Sequence, residues 1–238
     1  MSGPCRPFIL MPVLLAAALA PQVFGQAPST VTELTPGFSV GLEVTRRIRL
    51  DLYTGRERDD LDAAKWKIGA GASFRVRPLL KMLADDTDSD KWHRLVVGGF
   101  YEYSRSTESG VHTIEHKAYV EATLRWDFDS SYLLANRVRT EYRWIEGEYR
   151  FRFRDGVMLE RTLRPGRFKI TPYVLGEAYW DQHFGDWNKF RFIGGSRVRL
   201  FSRTCLDLFY ERSHCTTCSH PKTNSLGASV MIFFKRKK

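Results

Sequence analysis

Long apolar runs are almost absent from this 238-residue chain. The one that exists, Phe8 to Ala20, falls short of the about 20 residues a helix needs to cross a bilayer. A helical multi-span membrane protein is therefore excluded. Helical periodicity of useful length is also missing beyond this segment. Cysteine is scarce, with four residues, one of which (Cys5) lies in the leading apolar segment. Cys215 and Cys218 form a Cys-x-x-Cys pair between His214 and His220. The second ligand pair that zinc modules carry is missing, so neither a metal nor a cofactor is expected. In an oxidising compartment the expected outcome is a Cys215–Cys218 disulfide, with pairing to Cys205 as the other arrangement. Charge of neither sign is scarce: 37 basic against 27 acidic side chains leave a formal +10. Such an excess points to nucleic acid or an anionic surface. Here Arg150, Arg152 and Arg154 alternate along a strand, which is no helix-borne basic patch, so no nucleic-acid partner is expected.

The start of the chain has the make-up of a secretion signal. Arg6 supplies the positive charge, Phe8 to Ala20 the apolar centre, and the segment closes near Gly25 with small or β-branched residues at the cleavage positions. Residues 1–25 are assigned to this signal and 26–37, a polar stretch with Pro28 and Pro36, to a periplasmic arm.

What the chain has in abundance is alternation. From Phe38 to Tyr53 the even positions Phe38, Val40, Leu42, Val44, Ile48, Leu50 and Leu52 are apolar, broken only by Arg46. The odd positions are almost all polar. Successive strand residues face opposite sides, so this reads as one long ribbon with an oily face and a wet one. Trp66 to Val76 repeats the even phase. From Leu95 the apolar phase becomes odd, and it returns to even at Ile114 to Trp126. Tyr132 to Trp144, Tyr149 to Phe153, Phe168 to Trp180, Phe190 to Leu200, Leu206 to Tyr210 and Leu226 to Phe234 continue the pattern. About ten strands, each long enough to cross a bilayer, predict an all-β fold: a transmembrane antiparallel up-and-down β-barrel over 38–234, with twelve strands as the other count. Residues 235–238 form a basic tail. Short turns (DFDSS, RPG, FSRT) and longer loops (after Tyr53, Tyr103 and Arg212) sort to opposite ends, with the stretch after Pro78 as the exception. Leu79 to Leu83 within that stretch is expected as a short surface helix.

The second half carries a family resemblance. NRVRTEYRW (136–144), YRFRFR (149–154), PYVLGEAYWD (172–181), LDLFYER (206–212) and the closing NSLGASVMIFF resemble the Gram-negative outer-membrane barrel family known only as domain of unknown function twenty-four ninety. The resemblance implies the architecture and the outer-membrane location. It implies no activity and no catalytic residue.

With the aromatic face toward lipid, Arg137, Arg139, Glu141, Arg143, Arg150, Arg152, Arg154, Glu177, Arg191, Arg197, Arg199, Asp207 and Glu211 point into the lumen. A charge on the lipid side would cost about 2–4 kcal/mol at the bilayer midplane, which fixes the phase. Two uses fit these residues: an anion-preferring constriction, or Arg–Glu pairing that stiffens a narrow barrel. The function expected is a structural protein or a narrow solute or anion conduit. Its partners would be outer-membrane lipid and, during biogenesis, the barrel-insertion machinery; the oligomeric state is left open. The alternative is a lipase- or protease-type outer-membrane enzyme with its site at the barrel rim or interface; Asp181, His183 and Asp186 share one rim loop.

Overall fold

A computed structural model of the chain describes residues 30–58, 64–78, 88–108, 111–129, 132–166, 168–218 and 221–235. The strands are β1 (Thr30–Glu43), β2 (Ile48–Arg58), β3 (Ala64–Pro78), β4 (His93–Glu108), β5 (Val111–Asp129), β6 (Tyr132–Ile145), β7 (Glu148–Arg161), β8 (Ile170–Asp181), β9 (Asp186–Phe201), β10 (Thr204–Cys215) and β11 (Lys222–Phe234). A single turn of 3-10 helix, η1 (Ser89–Trp92), precedes β4. The strands follow one another around a closed barrel, each antiparallel to the next, and β1 meets β11 in parallel. Closure joins the first strand to the last, as a spanning sheet requires.

The barrel has eleven strands rather than about ten, and the extra one comes from the ribbon at Phe38 to Tyr53. That ribbon is a hairpin: residues 44–47 turn, and β1 pairs back on β2 from Gly37↔Gly55 to Glu43↔Arg49. Thr45 makes the turn, its Oγ1 accepting from the backbone N–H of Ile48 at 3.0 Å and of Arg47 at 3.2 Å. The expected arm at 26–37 is mostly strand as well, since β1 starts at Thr30 and pairs with β11 along that stretch. The signal segment, Leu79 to Leu83 and the end of the basic tail lie outside the described residues.

An odd strand count puts the start of β1 and the end of β11 at opposite rims. Calling the rim at which β11 ends the lower one, the connections there are 44–47, 79–92, 130–131, 162–169 and 202–203, and those at the upper rim are 59–63, 109–110, 146–147, 182–185 and 216–221. The expected division into long loops at one end and short turns at the other does not hold. Much of the stretch after Tyr103 is strand, with β4 and β5 paired as far as Glu108↔Val111. The longest connection, 79–92, belongs to the supposedly short group. The tight turn at Glu146–Gly147 is present, both residues having positive φ as a two-residue hairpin of this hand demands.

The phase predicted from alternation is the phase observed. Large apolar side chains stand on the outside, among them Leu34, Leu52, Trp66, Val120, Val157 and Phe192. Near the upper rim β6–β9 carry an aromatic band, with Trp144 against Tyr149, Tyr142 against Phe151, Phe151 against Trp180 and Phe153 against Trp187. Such rings suit a membrane–water interface. Inside, the burial rule of soluble proteins is inverted, and the largest fully buried side chains include Arg75, Arg143, Arg152, Lys65, Glu115 and Glu141. A small apolar cluster of Tyr173, Leu175 and Ile193 is backed by Met158 and Phe209. Phe209 lies across Gly227, where a Cβ would sit 2.0 Å from its ring, so the lumen is filled by placing rings over glycines on the next strand.

Candidate functional site

Of the thirteen charges named from the sequence, Glu141, Arg143, Arg152 and Glu177 are buried, and the structure arranges the set with residues the sequence reading passed over. In mid-barrel they converge on Glu177. Its carboxylate accepts from Arg137 and Arg191, from Arg154 Nη2 at 3.2 Å and from the Tyr179 hydroxyl at 3.1 Å. Arg154 reaches on to Glu141 at 2.7 Å and to the Tyr179 hydroxyl at 2.7 Å. Arg139 pairs with Glu121 at 2.6 Å and stacks over the Tyr119 ring at 4.2 Å. Arg191 also meets Glu211 at 3.5 Å. The side chain of Glu177 is 2% exposed and that of Glu141 fully buried.

Toward the upper rim Glu115 takes Lys65 and Arg143, each at 2.5 Å. Arg152 binds Asp181 at 2.7 Å, and Lys117 binds Glu102 at 2.7 Å. Arg150 sits at the rim with exposed Glu148. Toward the lower rim Arg197 bonds Glu160 at 2.9 Å and approaches Asp207 at 3.5 Å. The Tyr173 hydroxyl also donates to Asp207. Arg199 lines the same lower space.

The main feature missed in the sequence is the plug at the lower mouth. The end of the β3–β4 connection turns into the lumen as η1, capped by Asp88, whose side chain accepts from the Asp90 N–H. Arg49 holds Asp88 at 2.6 Å and Asp90 at 2.7 Å. Arg75 joins Asp90 to Glu43 of β1, both at 2.6 Å, and Lys91 reaches Glu160 of β7 at 2.7 Å. Burial pushes the Asp88 carboxyl up, but Arg49, Lys91 and Arg125 outweigh it and hold Asp88 well below the usual carboxylate range. Asp90 is raised by burial and by the charge of Asp88, against Arg49 and Arg75. The acidic run Asp85-Asp86-Thr87-Asp88-Ser89-Asp90 in the sequence was the available signal. It reads as a solvated loop until the mouth of a barrel is placed over it.

Two cavities among the described residues lie along the lumen. The lower, of about 270 Å³, lies between the plug and mid-barrel. The upper, of about 400 Å³, runs from the Arg cluster to the wall at β1 and β2. Arg137 and Asp207 line both.

Cys215 and Cys218 form a disulfide in the upper β10–β11 connection, with Cα atoms 5.5 Å apart, while Cys205 is a buried thiol on the lower cavity. Among the described residues no group of three or more His, Cys, Asp or Glu side chains is set to hold a metal. The rim trio is not brought together. Asp181 turns inward to Arg152 and accepts from the His183 backbone N–H, the His183 ring packs against Phe184, and Asp186 accepts from the Trp187 N–H.

No family model matches the chain, and no curated protein matches it. Among solved structures it is similar to LpxR from Salmonella typhimurium, with a TM-score of 0.52 and 7% identity over 82% of this chain and 87% of that one. LpxR is an outer-membrane β-barrel. The fold here is a barrel of the outer-membrane kind. At that identity the likeness carries the architecture and nothing of the chemistry.

Proposed function

We propose that this protein resides in the outer membrane as a sealed structural barrel, its lumen closed by its own ion pairs and by the η1 plug. Export by residues 1–25, insertion by the barrel-assembly machinery and contact with outer-membrane lipid belong to this reading. So does the family resemblance of the second half. The observation that carries it is the Glu177 knot, in which one buried carboxylate holds arginines from β6, β7 and β9 together across the lumen. A conducting constriction needs charges whose partners are the passing ions; these arginines have carboxylates within the wall. Burial of such pairs is tolerable only when partner and geometry are both supplied, as they are here. The rim trio offered for the enzyme reading is not assembled, since Asp181 is committed to Arg152.

Planar-bilayer recording of the purified protein tests the proposal. The expected result is no steady unit conductance, with heat-modifiable migration on gels as evidence of a folded barrel. A stable ohmic conductance with an anion-selective reversal potential overturns it in favour of a conduit.

A further inference from the structure

The wall is not paired to the same height everywhere. β1 is hydrogen-bonded to β11 from Thr30 to Leu42, but to β2 only from Gly37 to Glu43. Among the described residues the two strands are not paired above Gly37↔Gly55: Leu34–Pro36 pair only with β11, and Arg56–Arg58 only with β3. The residues at the fork are those least able to carry a ladder upward. Pro36 has no N–H to donate. A Cβ on Gly55 would stand 3.0 Å from the Pro36 carbonyl oxygen. An unpaired strand edge is intolerable against hydrocarbon, but it is tolerated where it lines a cavity. The upper cavity lies at this fork. Its lining includes Phe38, Thr54 and Arg56, which are exposed on the outer surface, together with lumenal Arg137, Arg139 and Arg154. The lining of the cavity thus includes residues of both faces of the wall at this fork.

We propose that the β1–β2 fork is a lateral portal and the upper cavity a binding site for a single-chain amphiphile with an anionic head. The head lies in the lumen and the tail leaves between β1 and β2 along Phe38 and Leu34. Arg137, Arg139, Arg154 and Arg191 line the cavity already paired with Glu121, Glu141 and Glu177, so an anionic head must draw one of them from its carboxylate. Arg137 is the most open of the arginines on Glu177, its side chain 32% exposed, and Glu177 keeps Arg154 and Arg191 without it. Size supports the ligand, since about 400 Å³ falls within the range of small-molecule sites. Apolar surface supports the tail, for Leu34 is 70% and Phe38 41% exposed on the outer face of β1. The site rests on the outer-membrane part of the functional reading but not on the absence of conductance, which is measured separately.

The test is binding of a fluorescent long-chain fatty acid to the folded protein in detergent, with displacement by an unlabelled fatty acid, a long-chain alkyl phosphate, a fatty alcohol of equal length and inorganic phosphate. Saturable binding is expected, displaced by either anionic amphiphile and not by the alcohol or by phosphate. Thr54→Trp, which fills the mouth from outside without touching the ion pairs, and Arg137→Gln should each weaken binding by about tenfold or more. Heat-modifiable migration identifies variants that remain folded barrels. The wild-type displacement series needs no variant, so it stands even if both fail to fold. Equal displacement by the alcohol, or wild-type affinity in a folded Thr54→Trp protein, overturns the proposal.

Discussion

The wall between β5 and β6 and the seam between β1 and β2 use the same alternating pattern, yet one is paired across fourteen register positions and the other across seven. The first is further held from within, by Arg139 to Glu121 and Arg143 to Glu115 across the strands. The second ends at Pro36, Gly37 and Gly55. Alternation therefore determines which side of a strand is oily, while the strength of a seam depends on ladder length and lumenal ion pairs. Parts of one cylinder can consequently differ in how readily they open.

The largest effect in this comparison is expected from Glu177→Ala, which leaves three arginines facing one another across the lumen. Breaking a buried pair in this way costs about 3–5 kcal/mol, read as a lower temperature for the heat-modifiable gel shift. Loss of less than the scatter between repeats would mean that water, not Glu177, compensates those arginines. Next comes Val120→Arg on the outer face of β5, where Val120 is 50% exposed. A cation near the bilayer midplane costs about 2–4 kcal/mol, measured by urea titration of folding into vesicles, and an unchanged midpoint would place Val120 outside hydrocarbon.

The plug gives a smaller, pH-dependent effect. Asp88 is held below its ordinary value of 3.8 in the folded protein. Its ionised form thus stabilises the fold above that value, and this contribution is lost as pH falls through the lower, folded value. Asp90 is raised and works in the opposite sense, favouring the fold below its ordinary value and losing that contribution as pH rises toward the raised one. Asp88→Asn should flatten the acid limb of a stability–pH curve and Asp90→Asn should not. Identical limbs in the two variants would remove the plug from the account. The smallest effect is geometric. A Val40→Cys, Leu52→Cys pair, opposite in the register, should cross-link with a short bifunctional thiol reagent. A Leu34→Cys, Arg58→Cys pair, which would be opposite only if the ladder continued, should not. Cross-linking of the second pair closes the fork.

Leu50 and Leu52 outward with Arg49 and Asp51 inward could be read directly, because a strand has period two and the two solvents differ by kilocalories per side chain. So could the burial of Glu141, Arg143, Arg152 and Glu177, and the Cys215–Cys218 bond from its spacing. The hairpin at 44–47 could not. Its register keeps even residues outward on both β1 and β2, so the pattern runs through the turn without a break. Arg46 on the oily face and Thr45 beside it were the only local signs. The change of phase at Leu95 was visible because the β3–β4 register sets even residues against odd ones.

The sequence by itself determined a two-faced wall and which residues stand on each side of it, since those follow from neighbours one and two positions apart. Only the closed barrel decided the strand count, the parallel β1–β11 closure, the plug in the lower mouth and the partners of each arginine. Those depend on shear and register between strands far apart in the chain. Glu177 meets Arg137 forty positions away, and no local pattern encodes that distance.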